Sequence, residues 1–595
     1  MIGLWVWLQL VWPIAGPITL TGSYGEIRGQ TFHTGIDIAV GEKIGTVPVR
    51  AAGDGYVYRL RISHSGFGKV LYVRHPNGLV TVYGHLSHFG PCGEAIAQAL
   101  QKAQNRFEVE KYLSPTDWPV KAGDTLAWAG NSGYSFGPHL HFEVRTSADK
   151  PLCPLYYLPR IPDAQPPVFF RVAVKPLGPF SRVAGRGERK NLRLRQVTHP
   201  SSKRLYRCSD TLPIQGNVGI EFAAGDRAGG GTAWLGLATI SLYNEAGERL
   251  FHASWETLDF DWRRFLRWHI DYAAQQVFRI GYARLYRPPT ESPPWTQGNG
   301  LITLAPHKIH TYRIIARDFA GNEAEVQLTL RGETPTATIA PRRPLSRQWR
   351  WSIEEGLLLS QEPLLLPWGD TVTPLHPILL AGRCPDKLVS LRGDTLQTHL
   401  KACLPPGHEL KVALTPSCTL VLFRESLMDT LYCQARPIAT PWGEGLWVGD
   451  PLIPLRFPAE LRWKVLLSEK LIAKTYPLYR PEGSGVWSPV SGAQREGPLW
   501  RIPIRAFGYY AVMVDTFPPQ IRALKAVGPY YLVSIEDLGS GVHPYALQVW
   551  AGSEKLFPEY YEPQRLLYLP RNKGRVFTIQ ATDRVGNTQK KTVRF

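Results

Sequence analysis

Short β-patterned runs broken by glycine turns, with hardly a stretch that sustains helical periodicity, confine this chain to sheets. Its 55 glycines and 51 prolines are scattered rather than clustered, as many strands joined by tight turns require. With 595 residues the chain is too long for one core, so the patterning predicts an all-β, multi-domain protein of about three to five domains. A hydrophobic content of 44% and an aromatic content of 11% exclude intrinsic disorder.

The chain divides at its proline-rich stretches. Ile2 to Trp12 is almost wholly apolar, the first charged residue is Glu26, and Pro13 and Pro17 end the run. That run is too short for a membrane span but fits the core of a secretory signal, although a basic leader is missing. Residues 1–17 are therefore read as a signal segment of an exported chain with no transmembrane span. Residues 18–158 form a first domain of strands and glycine turns, in which Asn77-Gly78 marks a hairpin. Within it, Ile96, Ala99, Leu100 and Ala103 fall at helical spacing, predicting a helical insert over about 94–118. A linker with Pro159, Pro162, Pro166 and Pro167 leads to a region 167–332, which closes on Ala316-Arg-Asp318-Phe-Ala-Gly321-Asn322. The last region, 516–595, closes on the same pattern, Ala581-Thr-Asp583-Arg-Val-Gly586-Asn587. In Ala-x-Asp-x-x-Gly-Asn a strand runs into a turn where Asp bonds local amides and Gly-Asn tolerates positive φ, so both regions are read as β-sandwich modules. Between them, 340–515 is strand-patterned and proline-rich with no assignable fold.

A formal net charge of +19 favours polyanionic surroundings such as nucleic acid, anionic lipid or an acidic cell wall. No motif supports nucleic acid. The densest basic stretch, Arg182 to Arg207, has too few apolar residues for a core strand and reads as a solvated loop, with a dedicated anion site as the alternative. None of the seven cysteines forms a CxxC pair. Cys384, Cys403, Cys418 and Cys433 allow two disulfides and Cys92 with Cys153 a third, leaving Cys208; isolated buried thiols are the alternative.

One constellation carries chemistry: His33-Thr-Gly-Ile-Asp37, Tyr83-Gly-His85-Leu86 and Gly137-Pro-His139-Leu-His141-Phe142-Glu143. Two histidines and one carboxylate suit a hydrolytic zinc, because three protein ligands leave a fourth position for water. On a straight strand His33 and Asp37 would stand about 13 Å apart, too far for one ion; Gly35 permits the bend that brings them together. His139 and His141 share one strand face about 6.6 Å apart, so one is a ligand and the other stands beside the open position. Tyr83 either orients an oxyanion or packs, and Arg28 either holds a substrate carboxylate or pairs with a structural acid.

These segments resemble the lysostaphin and LytM-type zinc endopeptidases of bacterial cell walls. The match runs in order through Gly22-Ser-Tyr-Gly-Glu-Ile-Arg28, His33-x-x-x-Asp37, Ala52-Gly-Asp-Gly-Tyr-Val57, Tyr83-Gly-His85-Leu86, Val120-Lys-Ala-Gly123-Asp, Gly130-Asn-Ser-Gly133 and Gly137-Pro-His139-Leu-His141-Phe-Glu143, over about 140 residues. The resemblance implies His33, Asp37 and His141 as ligands of one Zn2+ and His85 and His139 as the catalytic pair. Degenerate relatives that have lost ligands act as activators or scaffolds; this chain keeps all five positions and departs only in its helical insert. The later modules resemble immunoglobulin-like extensions of such peptidases in the Bacteroidetes-like lineage. Two functions follow. One is an exported peptidase cutting peptide cross-links of peptidoglycan, its basic charge suited to anionic envelope polymers in the periplasm or at the cell surface. The other is a catalytically silent wall-binding or scaffold protein.

Overall fold

The computed structural model describes residues 10–29, 31–41, 44–198, 203–228, 231–287, 293–346 and 350–595. The chain is all-β in character and folds around several separate cores.

The first domain is built on one antiparallel sheet. Its main strands are β1 (Leu20–Gly22), β2 (Ile36–Ala39), β3 (Gly55–Ile62), β4 (Lys69–Arg74), β5 (Val80–Gly84), β6 (Val109–Tyr112) and β7 (His139–Arg145), in the order β1-β2-β7-β5-β4-β3-β6. A smaller sheet joins Pro48–Arg50, Thr125–Ala129 and Leu86–Phe89. The turn between β4 and β5 is the expected hairpin, with Gly78 at φ +83° and Asn77 Oδ1 accepting from the Leu79 amide at 3.0 Å.

β7 shows why the sheet has two unlike faces. Successive side chains point to opposite sides of a strand. Leu140, Phe142 and Val144 enter the core with Ile36, Ile38, Val57 and Leu71. His139, His141, Glu143 and Arg145 therefore line the other face as a continuous polar row.

The predicted insert is part helix and part strand. Helix α1 (Pro91–Gln104) is followed by β6, which pairs with β3, and the chain re-enters the sheet at Pro119–Val120. Gly93 is required where the helix meets its neighbours, since a Cβ there would lie 2.7 Å from both the Phe89 Cβ and the Trp118 ring. Residues 1–9 of the expected signal segment lie outside the described residues. Residues 10–14, however, belong to the folded domain: Leu10 and Ile14 are core, and the Val11 amide donates to the Ala52 carbonyl at 2.8 Å.

Beyond the first domain, a four-stranded and an eight-stranded sheet enclose one core containing Val172, Ile220, Ile240, Ile314 and Val326. Tyr24 and Phe32 of the first domain join it, and the Tyr24 hydroxyl donates to the Pro151 carbonyl at 2.7 Å. Residues 351–397 form two small sheets, and 400–514 form a six-stranded and a five-stranded sheet around a core of their own. The last region, from Gln520, is two four-stranded sheets sharing Ile521, Val533, Val549, Phe577 and Ile579. It packs back on the first domain, where Lys69 Nζ meets Glu559 Oε2 at 2.7 Å.

Two expectations are corrected. The basic stretch 182–207 is not a solvated loop: it contributes the strands Arg182–Val183, Lys190–Asn191 and Leu194–Val197. Arg189 within it is buried by ion pairs to Glu221 and Asp271, partners far away in sequence. The disulfides do not form either. All seven cysteines are free thiols, with Cys153, Cys418 and Cys433 buried. The other reading, isolated thiols, describes these three.

Candidate metal centre

Sheet register brings the chemistry together. In the β2–β7 pairing His141 stands opposite Asp37, and in the β5–β7 pairing it stands opposite Gly84, the residue before His85. His33 comes from the short connection before β2. Gly35 lets that connection lie flat on β7, because a Cβ there would sit 2.3 Å from the Phe142 carbonyl oxygen and 2.7 Å from Glu143 Cγ. Close approach, rather than a positive φ, is what demands glycine here. His85 sits where β5 ends, in the left-handed region at φ 57°, held by its amide donating to the Phe67 carbonyl at 2.8 Å. A residue with a bulky side chain held there stores about 1–3 kcal/mol of backbone strain, as functional sites commonly do.

Three buried atoms face one another: His33 Nε2, Asp37 Oδ1 and His141 Nδ1, with all three separations 3.0 Å. Their outer atoms determine what each can offer inward. His33 Nδ1 lies 2.7 Å from the Ser23 carbonyl, which only accepts, so the proton is on Nδ1 and Nε2 presents a lone pair. His141 Nε2 lies 2.9 Å from Glu143 Oε1, so its Nε2–H donates outward and Nδ1 presents a lone pair inward. Asp37 Oδ2 accepts from Arg28 Nη1 at 2.7 Å, which leaves Oδ1 free. Three potential ligand atoms thus converge in a buried pocket, an arrangement that a bound cation satisfies. Tetrahedral bonds of about 2.0 Å set donors about 3.3 Å apart, so the triangle fits a zinc ion with a slight opening. The donor set, two imidazoles and one carboxylate, is that of hydrolytic zinc.

The electrostatics agree. Burial alone would depress His141, yet its hydrogen bonds to the Asp37 and Glu143 carboxylates, and their charge, outweigh it and push the imidazole up to about 9, so the pocket favours positive charge. Burial would raise Asp37, but His33, His139 and His141 hold its carboxyl well below the usual range. His33 is pushed down, chiefly by burial. Glu143, fully buried, is held down at about 2 by Arg145 and His141 against the effect of burial.

Two more histidines border the cluster. His85 Nδ1 donates to the Ser132 carbonyl at 2.8 Å, leaving Nε2 as an acceptor. Burial first, then His139 and His141, push it down to about 3, so it is neutral across the physiological range. His139 Nδ1 donates to the Gly137 carbonyl at 2.8 Å, and its Nε2 stands 3.3 Å from Asp37 Oδ1. The two rings are 4.8 Å apart.

Of the other two candidates, Tyr83 lies away from the cluster and Arg28 touches it. Tyr83 is a core residue and not an oxyanion ligand: it pairs in register with Phe142, hence shares Phe142's face rather than that of His141. Its hydroxyl accepts from the Ala52 amide at 2.8 Å and bonds Thr81. Arg28 pairs with acids, Asp37 and Glu26, instead of standing free. Sequence reasoning assigned no role to Glu143 or to Phe67, which stacks on His141 with centroids 4.8 Å apart. Glu143 was discoverable, since two residues after His141 on a strand it shares that face. Phe67 gave no such signal. Helix α1 lines a cavity of about 1140 Å³ against the last region; Ser132 is in its wall, but none of the five site side chains is.

The sequence profile of peptidase family M23 matches residues 31–98, the stretch that carries His33, Asp37 and His85. The first domain belongs to peptidase family M23. Over 113 residues the chain is 35% identical to the DD-carboxypeptidase/endopeptidase Mpg of Neisseria meningitidis serogroup B, covering 19% of this chain and 20% of that protein. It is 33% identical over 120 residues to the peptidoglycan DD-endopeptidase ShyC of Vibrio cholerae serotype O1, covering 20% and 21%. The chain therefore matches about a fifth of the length of these M23 relatives. Among solved structures, a mutant catalytic domain of the prophage-encoded M23 protein EnpA from Enterococcus faecalis is 28% identical, over 23% of this chain and 87% of that one, with a TM-score of 0.17. The family assignment rests on the sequence match and not on that superposition.

Proposed function

We propose that this chain is an exported zinc-dependent endopeptidase that cleaves peptide cross-links of peptidoglycan. His33, Asp37 and His141 would hold the ion, which supplies Lewis-acid chemistry and a nucleophile from water near neutral pH. The single observation carrying the reading is the convergence of three buried ligand atoms, His33 Nε2, Asp37 Oδ1 and His141 Nδ1, at 3.0 Å from one another. A binding module has no need of such an arrangement. Around the ion, His85 takes up a proton at Nε2, its neutrality secured by burial. His139, its ring fixed by the Gly137 carbonyl, presents Nε2 beside the open position, where it can accept a proton or orient water. Arg28 holds Asp37 by one oxygen so that the other is kept for the ion.

Mpg and ShyC, named for DD-endopeptidase activity, favour peptidoglycan peptides as the substrate class. The net charge of +19 suits an anionic envelope. No helix among the described residues is long and apolar enough to cross a membrane. Regions 167–332 and 516–595 are read as immunoglobulin-like modules appended to the peptidase.

Purified sacculi incubated with the full chain test the reading. Soluble cross-link fragments are expected, abolished by chelator, restored by Zn2+ and absent with His141→Ala. Equal release with His141→Ala, or none from the zinc-loaded chain, would overturn it.

A further inference from the structure

Two clusters of three aspartates, neither sharing a residue with the zinc candidates, repeat one design. In the first, carboxylate oxygens of Asp163, Asp226 and Asp318 all lie within 4.8 Å of one another; in the second, those of Asp515, Asp537 and Asp583 do. The matching positions recur in sequence. Asp163-Ala-Gln-Pro-Pro167 leads into the strand Val168–Pro176, and Asp515-Thr-Phe-Pro-Pro519 leads into Gln520–Val527, with the same spacing of five. Asp226 and Asp537 directly follow the strands that pair antiparallel with these entering strands, Val218–Gly225 and Tyr530–Glu536. Asp318 and Asp583 open the two Ala-x-Asp-x-x-Gly-Asn turns.

The contacts repeat as well. Asp318 Oδ1 accepts from the Ala320 and Asn322 amides, both at 2.9 Å, and Asp583 Oδ1 accepts from Val585 and Asn587 at 2.9 and 2.8 Å. Asn322 Nδ2 reaches back to the Asp163 carbonyl at 3.3 Å, as Asn587 Nδ2 does to Asp515 at 3.0 Å. Local amides alone would account for a turn. They do not account for Asp226. That residue is only 4% exposed, one of its carboxylate oxygens lies within 4.8 Å of oxygens of Asp163 and Asp318, and its Oδ1 has no hydrogen-bond partner. A buried carboxylate with an orphaned oxygen beside two further carboxylates is a costly arrangement unless a cation sits among them.

No described Lys, Arg or His is paired with any of the six aspartates at ion-pair distance, and Arg204, whose charge acts on Asp226, donates to the Pro166 and Pro167 carbonyls. Burial and the facing carboxylates push Asp226 up to about 7 and Asp537 up to about 6. All-oxygen donors of this kind select a hard divalent ion, and the flexible geometry of carboxylates with nearby carbonyls suits Ca2+.

We infer that the module 167–332 binds one Ca2+ in its Asp163–Asp226–Asp318 triad, pinning the segment that enters the module to the hairpin at its closing end. Asp163 lies on the chain that enters the module from the first domain, so the ion fixes that joint. The second triad shares the plan without the orphaned oxygen: Asp537 Oδ2 accepts from the Gly541 amide at 2.6 Å and Asp515 Oδ2 from the Ser540 amide at 2.7 Å. The first site is separate from the proposed peptidase chemistry and stands or falls without it.

The test uses the full chain stripped with chelator, given one equivalent of Zn2+ and dialysed to equilibrium against radioactive calcium. An affinity in the range of extracellular modules, about 10⁻⁴–10⁻³ M, puts the site near saturation at 10 mM. Bound calcium is expected to fall by one ion per chain in Asp226→Asn and to stay at the wild-type count in Asp537→Asn. The thermal unfolding midpoint should rise by about 3 °C or more on adding 10 mM Ca2+ to wild type and to Asp537→Asn but not to Asp226→Asn. Should Asp226→Asn fail to fold by circular dichroism, Asp163→Asn, on the partly exposed linker, replaces it. No bound calcium and no midpoint shift in wild type would overturn the inference, as would calcium binding that is unchanged in Asp226→Asn.

Discussion

Replacing Gly35 by alanine probes the metal centre without touching a ligand. The added Cβ would meet the Phe142 carbonyl oxygen at 2.3 Å, where ordinary contact begins at 3.4 Å, so about 1.1 Å of separation must be found. The obstacle is backbone, which cannot rotate out of the way. Either the connection from His33 to Asp37 lifts, or β7 recedes. Ligand candidates sit on both sides, Asp37 two residues beyond Gly35 and His141 one residue before Phe142. Any relief therefore opens the triangle of donors, which tolerates only about 0.2 Å of error around a metal. Overpacking of this size costs about 1–3 kcal/mol of stability. Part of that strain falls on the donors, so zinc affinity should drop at least tenfold, about 1.4 kcal/mol. Competition against a fluorescent zinc chelator measures the affinity, and urea unfolding of the zinc-free chain measures the stability. An affinity within twofold of wild type, with an unchanged urea midpoint, would refute the argument that close approach at Gly35 holds the site together.

Further outcomes separate the roles around the cluster. His85→Ala should retain zinc while activity on cross-linked peptide falls about 10²–10⁴-fold, whereas His141→Ala should lose the metal itself; metal content read beside turnover distinguishes them. Glu143→Gln keeps the side chain's shape but removes the charge that His141 Nε2–H and Arg145 meet, and should weaken zinc binding about 10–100-fold by chelator competition. Because burial depresses His85 to about 3, the unfolded chain binds a proton below pH 6.5 that the folded chain refuses, so His85 costs stability as pH falls from about 6.5 towards 3. His85→Asn, which does not titrate and tolerates positive φ, should flatten the fall in urea stability of the zinc-free chain by about 1.36 kcal/mol per pH unit in that window; an unchanged slope would count against a buried neutral imidazole.

The all-β architecture could be read from strand patterning and glycine turns because both are local properties. The hairpin at Asn77-Gly78 and the two Ala-x-Asp-x-x-Gly-Asn turns were legible for the same reason, each being made by residues a few positions apart. The five histidine and aspartate candidates could be singled out by residue type and spacing, and strand periodicity put His139 and His141 on one face. What sequence could not supply was pairing. The face on which Tyr83 lies depends on its register with Phe142, nearly sixty residues away, and that register sends it to the core. The burial of Arg189 depends on Glu221 and Asp271, acids that no local pattern connects to it. The helical insert was placed to within a few residues at its start but its second half is β6, whose partner β3 lies about fifty residues earlier. Leu10 and Ile14 were read with the apolar leader because composition cannot distinguish a segment destined for export from one packed into a core.

The most direct measurement is anomalous diffraction at the zinc edge from crystals of the full chain. One peak is expected among His33 Nε2, Asp37 Oδ1 and His141 Nδ1, with each donor about 2.0–2.2 Å from the ion and a fourth position open toward His85 and His139. A zinc bound elsewhere, or one that His33 or His141 does not reach, would contradict the account.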